Sequence, residues 1–543
     1  MQRTPLLLSS VLEHAALNHR EREIVSQAAD GTIHRTNYGD LAARAKRLAR
    51  ALDRLGVKPG DCVATLAWNG YRHMELYLGV TGRGSVLHTV NPRLFPTQIE
   101  YMINHAHDGL VFFDLSFTSL LEQIAPRLPH VRAFVALADR SDLPDTSLPN
   151  LLCYEDLLAT EDPQYDWPML DENSAATLCY TSGTTGNPKG VLYSHRSLLL
   201  HASVGMAADG LALSARDTLL LVVPLFHVNA WGLPFAGAMC GAKLVLPGPR
   251  LDGESLFNLV RDEGCTFSIG VPTVWLSFLD YVRTHRDALD HQGLRFRRVM
   301  VGGSAAPIAM VAAFEELLGV TLIQAWGMTE TSPIATVGTL LAHQEALPAA
   351  ERHAIQALQG RPVFGVEIRI VGPNGTVLPR DDQAVGEIQV RGPWVIDRYF
   401  RSDVPATDPD GWFATGDVGS ITPDGFIRIT DRVKDVIKSG GEWISSIDLE
   451  NAAIGHPDIA EAAVIGIPHP RWQERPLLLL RCQPGREPSA ADVLAFLADK
   501  VPRWWLPDEI RFVEDLPHTA TGKLLKTRLR ALYTSAPAAD PLQ

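Results

Sequence analysis

The sequence predicts a large N-terminal domain of α/β plus β-barrel type, followed by a smaller α+β C-terminal domain. Three observations predict it. Helix-like segments alternate with short apolar runs from the N-terminus past residue 330, the signature of parallel α/β layers. From about 365 to 430 the pattern changes to short alternating runs broken by Gly, Pro, Asn and Asp, as antiparallel strands with tight turns require. After residue 431 helix and strand patterns mix again over roughly 110 residues, an ordinary domain size. At about 150 residues per domain, 543 residues make three or four units.

Each element follows from its periodicity. Between Thr36 and Gly56, Leu41, Ala45, Leu48, Leu52 and Leu55 recur three or four apart, which predicts an amphipathic helix. Gly60-Asp61 then opens the strand run Cys62–Ala67. A helix is expected over His73–Thr81, a strand over Ser85–Val90, and another apolar strand over Ala175–Cys179. In the β region, Val366–Ile370, Gly386–Arg391 and Phe426–Ile429 read as antiparallel strands forming a small barrel or sandwich. The boundary is placed at 431–434, between a domain over 1–430 and one over 435–543. The latter carries a helix over Ser446–His456, a strand over Ala462–Ile467 and a closing basic stretch, Lys523–Arg530.

Composition excludes several classes. An excess of 62 acidic over 49 basic residues gives a net charge of −13, against a protein that coats nucleic acid. The six cysteines show no C-x-x-C spacing, so no zinc ribbon is expected, and their scatter suits a reducing compartment. The apolar runs are too short for a signal peptide or a transmembrane segment. A soluble cytoplasmic protein is the expectation.

The most informative stretch is Tyr180-Thr181-Ser182-Gly183-Thr184-Thr185-Gly186-Asn187-Pro188-Lys189-Gly190. Glycines let successive N–H groups approach an anion, hydroxyls add donors, and Lys189 adds a cation. It is not a Walker A loop, because its lysine stands three residues beyond Gly186.

The whole string resembles the signature of the adenylate-forming superfamily, which includes acyl-CoA synthetases, peptide-synthetase adenylation domains and beetle luciferases. Four further strings, in order, carry the same resemblance: Gln324-Ala325-Trp326-Gly327-Met328-Thr329-Glu330-Thr331, Thr415-Gly416-Asp417, Asp431-Arg432-Val433-Lys434-Asp435 and Thr521-Gly522-Lys523. The resemblance implies ATP and CoA as co-substrates and Mg²⁺ as the metal, held by Thr184 and Glu330 against the phosphates. It implies ATP/AMP contacts from Thr181, Ser182, Gly183, Thr184, Thr185, Gly186, Lys189, Thr329, Arg432 and Lys434. Asp417 takes the ribose. Gly303, Gln324, Ala325 and Trp326 line the adenine slot, with the Trp326 face as a stacking surface; a core role is the lesser reading of that ring. Lys523 is the implied catalytic lysine, bridging carboxylate and α-phosphate. Lys434 is the implied hinge residue, since a domain that delivers Lys523 must move aside for a thiol. Lys438, Gly440, Gly441 and Trp443 fall at the CoA step, although Trp443 reads equally as packing.

The acyl end rests on Pro224-Leu225-Phe226-His227-Val228-Asn229-Ala230-Trp231-Gly232. It resembles the acyl-pocket segment of bacterial medium- and long-chain fatty acyl-CoA ligases. The resemblance places His227 near the carboxylate as a catalytic candidate, with His227, Val228 and Trp231 lining the acyl pocket. A structural histidine is an equal reading of His227. The function this implies is an AMP-forming fatty acid:CoA ligase acting through an acyl-adenylate on a medium- to long-chain acid. The alternatives are a short carboxylate such as methylmercaptopropionate, or transfer to a separate carrier protein. A homodimer through the N-terminal domain is expected by the same resemblance.

Overall fold

The computed structural model describes residues 1–181, 187–286, 294–439, 442–518 and 524–533. The helix expected after Thr36 runs over Tyr38–Arg54, started by the Asn37 side chain, whose Oδ1 accepts the Asp40 N–H at 2.9 Å. Its buried stripe holds Leu41, Ala45, Leu48 and Leu52. Against it packs helix Tyr71–Gly82. The close approach needs a glycine: a Cβ at Gly79 would lie 2.8 Å from Leu48 Cδ2 and 2.9 Å from the Ala45 carbonyl oxygen.

Two α/β sheets form the large part of the molecule. One has seven strands in spatial order Leu151–Cys153, Ala133–Ala136, Leu110–Phe113, Cys62–Leu66, Val86–Thr89, Ala175–Tyr180 and Gly190–Ser194. All its pairs are parallel except the last. The other has nine strands, and its parallel centre includes Thr218–Leu220, Phe267–Gly270, Arg298–Val301 and Thr321–Gly327. The first two strands of the chain, Glu23–Gln27 and Ile33–Asn37, complete an edge of this second sheet. The sheets therefore interleave in sequence and build one domain.

The β region is a four-stranded antiparallel meander of Glu367–Val371, Gly386–Arg391, Phe413–Ile421 and Ile427–Arg432. Its antiparallel character is as expected. Among the described residues its ladder is open, with no pairing between the first and last strands. It needs no closure because its apolar face, with Ile368, Ile388, Val390 and Ile427, joins the core beneath the α/β sheets.

The smaller unit is a five-stranded sheet with helices Ser446–Ile454, Ala490–Ala498 and Lys526–Tyr533. The closing basic stretch is thus partly helical. The long hairpin Ile459–His469 with Gln473–Cys482 buries both faces: Ala462, Val464, Leu478 and Leu480 pack on one side, Ala463, Ile465, Leu477 and Leu479 on the other. Helix Ser446–Ile454 rests on strand Ile427–Arg432. Ser445 Oγ donates to the Thr430 carbonyl at 2.6 Å and the Ser446 N–H donates to Asp431 Oδ2 at 2.8 Å. No described helix is long and apolar enough to cross a membrane.

Candidate active site

In open α/β sheets ligands bind beyond the carboxyl ends of the parallel strands, and here several such ends converge. Strand Thr218–Leu220 leads to the His227 segment, Phe267–Gly270 to Pro272 and Leu276, and Arg298–Val301 to Gly302-Gly303-Ser304. Strand Thr321–Gly327 delivers Gln324, Ala325 and Trp326, and the 3₁₀ turn Thr329–Thr331 follows it with Glu330. Together they wall a cavity of about 540 Å³. Its opposite wall comes from Asp417, Asp431 and Arg432, and from Ile447, Glu450, His518, Leu524 and Lys526 of the smaller unit.

Of the residues singled out from sequence, Thr181, His227, Val228, Trp231, Gly303, Gln324, Ala325, Trp326, Thr329, Glu330, Asp417, Arg432 and Lys434 all line this cavity. Ser182, Gly183, Thr184, Thr185, Gly186, Gly440, Gly441, Thr521, Gly522, Lys523 and the side chain of Trp443 lie outside the described residues. The two residues on either side of the Lys523 segment, His518 and Leu524, pair with each other and both line the cavity. Lys189 and Lys438 do not line it. Lys189 is exposed above the ring of Tyr399, its Nζ 4.8 Å from the centroid. Lys438 is exposed on strand Ile437–Ser439, where its N–H donates to Glu474 Oε2 at 2.9 Å.

Asp417 sits inside strand Phe413–Ile421 rather than in a turn, and its side chain is only 5% exposed. Trp326 Nε1–H donates to its Oδ2 at 2.9 Å, and Arg432 Nε lies 2.8 Å from its Oδ1. A buried carboxylate is stable only when paired and hydrogen-bonded, and this one is both. Trp326 thus serves Asp417 through its ring edge while lining the cavity. Gln324 lines the cavity too, but its amide braces the neighbouring loop. Its Oε1 accepts the Ala306 N–H at 2.8 Å, and its Nε2 donates to the Ser304 and Ala325 carbonyls at 3.2 Å.

Glu330 is 7% exposed, and its Oε1 accepts the Tyr399 hydroxyl at 2.8 Å. Thr329 is held through its carbonyl, which accepts the Tyr193 hydroxyl at 2.7 Å. Among the described residues no group of three or more His, Cys, Asp or Glu side chains could hold a metal unaided. Glu330 fits Mg²⁺ in another way: one buried, hydrogen-bonded carboxylate lining the cavity suits a hard cation that takes its other ligands from substrate and water.

The acyl segment has an unusual backbone. Val228, Asn229, Ala230 and Trp231 have φ of +47°, +55°, +46° and +55°, a left-handed turn that costs a non-glycine residue about 1–2 kcal/mol each. Strain of this kind gathers at functional sites, where the surroundings hold it in place. Here Trp231 packs on Gly302, and a Cβ at 302 would meet its ring at 2.7 Å. His227 stands half-buried at the start of this turn.

Sequence reasoning missed three groups. Tyr399 touches both Glu330 and Lys189, yet it lies in a loop with no recognisable pattern. Asp431 was assigned only to the hinge, although its Oδ2 also accepts from the Ser446 N–H and hydroxyl. Lys526 Nζ pairs with Glu450 at 2.7 Å, each side chain being 10% exposed. The Glu450 carboxyl is raised above the usual range by burial, against the opposing pull of Lys526.

Strand-end loops around this cavity, closed by a small second unit, fit the adenylate-forming class that the sequence strings indicate. The chain belongs to the AMP-binding enzyme family, whose model matches residues 12–400, and the model of the AMP-binding enzyme C-terminal domain matches 448–523. It is 50% identical over 533 residues to the medium-chain-fatty-acid–CoA ligase of Ectopseudomonas oleovorans, covering 98% of this chain and 97% of that one. It is 48% identical over 536 residues to the 3-methylmercaptopropionyl-CoA ligase of Ruegeria lacuscaerulensis, covering 99% of each. The crystal structure of the anthranilate CoA ligase AuaEII with anthranoyl-AMP matches with a TM-score of 0.84, at 25% identity over 98% of each chain.

Proposed function

We propose that the protein is an AMP-forming acid:CoA ligase whose substrate is a medium- to long-chain fatty acid. The observation that carries the reading is Asp417, held between Trp326 and Arg432 in the lining of the same cavity as Glu330. In the first half-reaction a carboxylate oxygen attacks the α-phosphorus of ATP and pyrophosphate leaves. In the second, the CoA thiolate attacks the acyl carbon and AMP leaves. Both steps bring anions together, so positioning and charge neutralisation do most of the catalysis.

Asp417 accepts from the ribose hydroxyls, with its carboxylate pre-aimed by Trp326 and Arg432. Gly303 and the Ala325–Trp326 edge shape the adenine slot. Lys523 neutralises the attacking carboxylate and the α-phosphate. Glu330 and Thr184 would hold Mg²⁺, which supplies charge neutralisation at the phosphate oxygens when bound. The hinge at 431–434 exchanges the face that bears Lys523 for the face that bears Lys438, so that thiol can enter. Homodimerisation through the large domain and a cytoplasmic setting belong to the same proposal, and sedimentation velocity and cell fractionation test them.

A second acid class is favoured by one observation. Trp231 packs against Gly302 in the cavity lining that also holds His227, and a large ring there suits a short carboxylate such as 3-methylmercaptopropionate. One experiment decides both questions: purified protein with ATP, Mg²⁺ and acids from propionate to palmitate, with 3-methylmercaptopropionate included, with and without CoA. AMP release that needs both acid and CoA is expected. Pyrophosphate exchange indifferent to CoA in every assay would replace the ligase reading with transfer to a carrier. The acid with the highest kcat/KM assigns the substrate.

A further inference from the structure

The loop 394–400 makes polar contacts in two directions. Toward the Glu330 turn, Trp394 Nε1–H donates to the Ile334 carbonyl at 3.1 Å, and Ser332 Oγ donates to the Trp394 carbonyl at 2.7 Å. The Ile396 N–H donates to the Glu330 carbonyl at 2.8 Å, and the Tyr399 hydroxyl donates to Glu330 Oε1, also at 2.8 Å. Toward the strand that leaves the glycine-rich loop, the Phe400 N–H donates to the Gly190 carbonyl at 2.8 Å, and Lys189 Nζ stands over the Tyr399 ring. The approach is close: a Cβ at Gly190 would lie 3.0 Å from Phe400 Cβ.

We propose that Tyr399 is a positioning residue for the first half-reaction, aiming the Glu330 carboxylate with its hydroxyl and holding Lys189 with its ring. The inference rests on the ligase reading above. A glutamate carboxylate turns easily about its last bond. Fixing Oε1 to the Tyr399 hydroxyl fixes the plane of the group and therefore the direction of Oε2. The ring acts separately: its face attracts the Lys189 ammonium, 4.8 Å from the centroid. One aromatic side chain thus joins two motifs that are 141 residues apart, Lys189 and Glu330.

Two variants separate the two roles. Tyr399→Phe keeps the ring and removes the hydroxyl, whereas Tyr399→Leu removes both. Partners that orient a metal-holding carboxylate are worth about 10–100-fold in metal affinity or activity. Tyr399→Phe should therefore need about tenfold more Mg²⁺ for half-maximal acid-dependent pyrophosphate exchange. By electron paramagnetic resonance it should bind Mn²⁺ about tenfold more weakly in the presence of α,β-methylene-ATP. Its AMP release from supplied acyl-adenylate and CoA should stay within about twofold of wild type. Tyr399→Leu should add a several-fold rise in KM for ATP at saturating Mg²⁺. Mn²⁺ affinity within twofold of wild type in Tyr399→Phe, or equal loss of both half-reactions, would overturn the proposal. Wild-type protein with no acid-dependent exchange would instead overturn the ligase reading, while the Mn²⁺ titration still reads Tyr399 directly.

Discussion

At the scale of single residues, the site works by fixing polar groups before any ligand arrives. Asp417 has both oxygens engaged, and its partner Trp326 approaches with the N–H edge of its ring. A hydrogen bond to a charged group contributes about 1.5–3 kcal/mol, so Trp326→Phe should raise KM for ATP by roughly tenfold or more in pyrophosphate exchange. A change under twofold would mean that Asp417 does not take the ribose. His201 is a second fixed group. It is buried, its Nε2 accepts the Ile334 N–H at 3.1 Å, and burial pushes its pKa down to about 3. A histidine depressed in the folded state gains its proton only on unfolding. Its contribution is whole above about pH 6.5 and falls as pH drops toward the folded value, by about 1.4 kcal/mol per pH unit. The variant His201→Gln, which keeps an acceptor for Ile334, should lack that proton. The stability difference between wild type and variant should shrink by that slope between pH 6.5 and 4, read by denaturant unfolding. A parallel pH dependence would refute the neutral buried imidazole.

At the scale of elements, the decisive joints are helix Ser446–Ile454 on strand Ile427–Arg432 and helix Lys526–Tyr533 beside them. Asp431 caps the first helix through the Ser446 N–H, and Lys526 ties the second to Glu450. Glu450 Oε1 also accepts the Val464 N–H at 2.7 Å, so the pair binds helix, helix and sheet at one point. Removing one partner of a buried pair costs about 3–5 kcal/mol, because the other charge is left uncompensated. Lys526→Met should therefore speed hydrogen exchange in helix Ser446–Ile454, and Lys526→Met/Glu450→Leu should recover most of the protection. No recovery in the double variant would place the effect elsewhere. Much of this scale was legible from periodicity. The helix after Thr36, the strand at Cys62 and the strand at Gly386 fall within two residues of expectation, because an apolar stripe fixes which face must be buried. The barrel was less legible. Alternation shows that a strand has one buried face, but not whether the first strand meets the last.

At the scale of the whole molecule, the smaller unit closes the cavity with the surface that includes His518 and Leu524, whereas Lys438 is exposed outside that lining. On the proposed two-step mechanism both faces act in turn, so fixing the proposed hinge should split the half-reactions. Proline locks φ near −65°. Lys434→Pro should leave acid-dependent pyrophosphate exchange within a few-fold of wild type and slow CoA-dependent AMP release by more than tenfold. Equal slowing of both steps would argue against a hinge at this position.

The sequence by itself determined the chemistry-bearing strings, their order and the family they indicate. A phosphate loop, a ribose carboxylate and a catalytic lysine each need particular residue types at short spacing, and short spacing is visible in one dimension. Only the tertiary structure decided how those strings hold one another. It set Trp326 edge-on to Asp417, turned the Gln324 amide into the 302–306 loop, and placed Tyr399 between Glu330 and Lys189. These contacts join residues from tens of positions to well over a hundred apart, and no local pattern records them. Hydrogen-bond geometry is fixed by how sheets pack, and packing is settled by the burial of the whole apolar core at once.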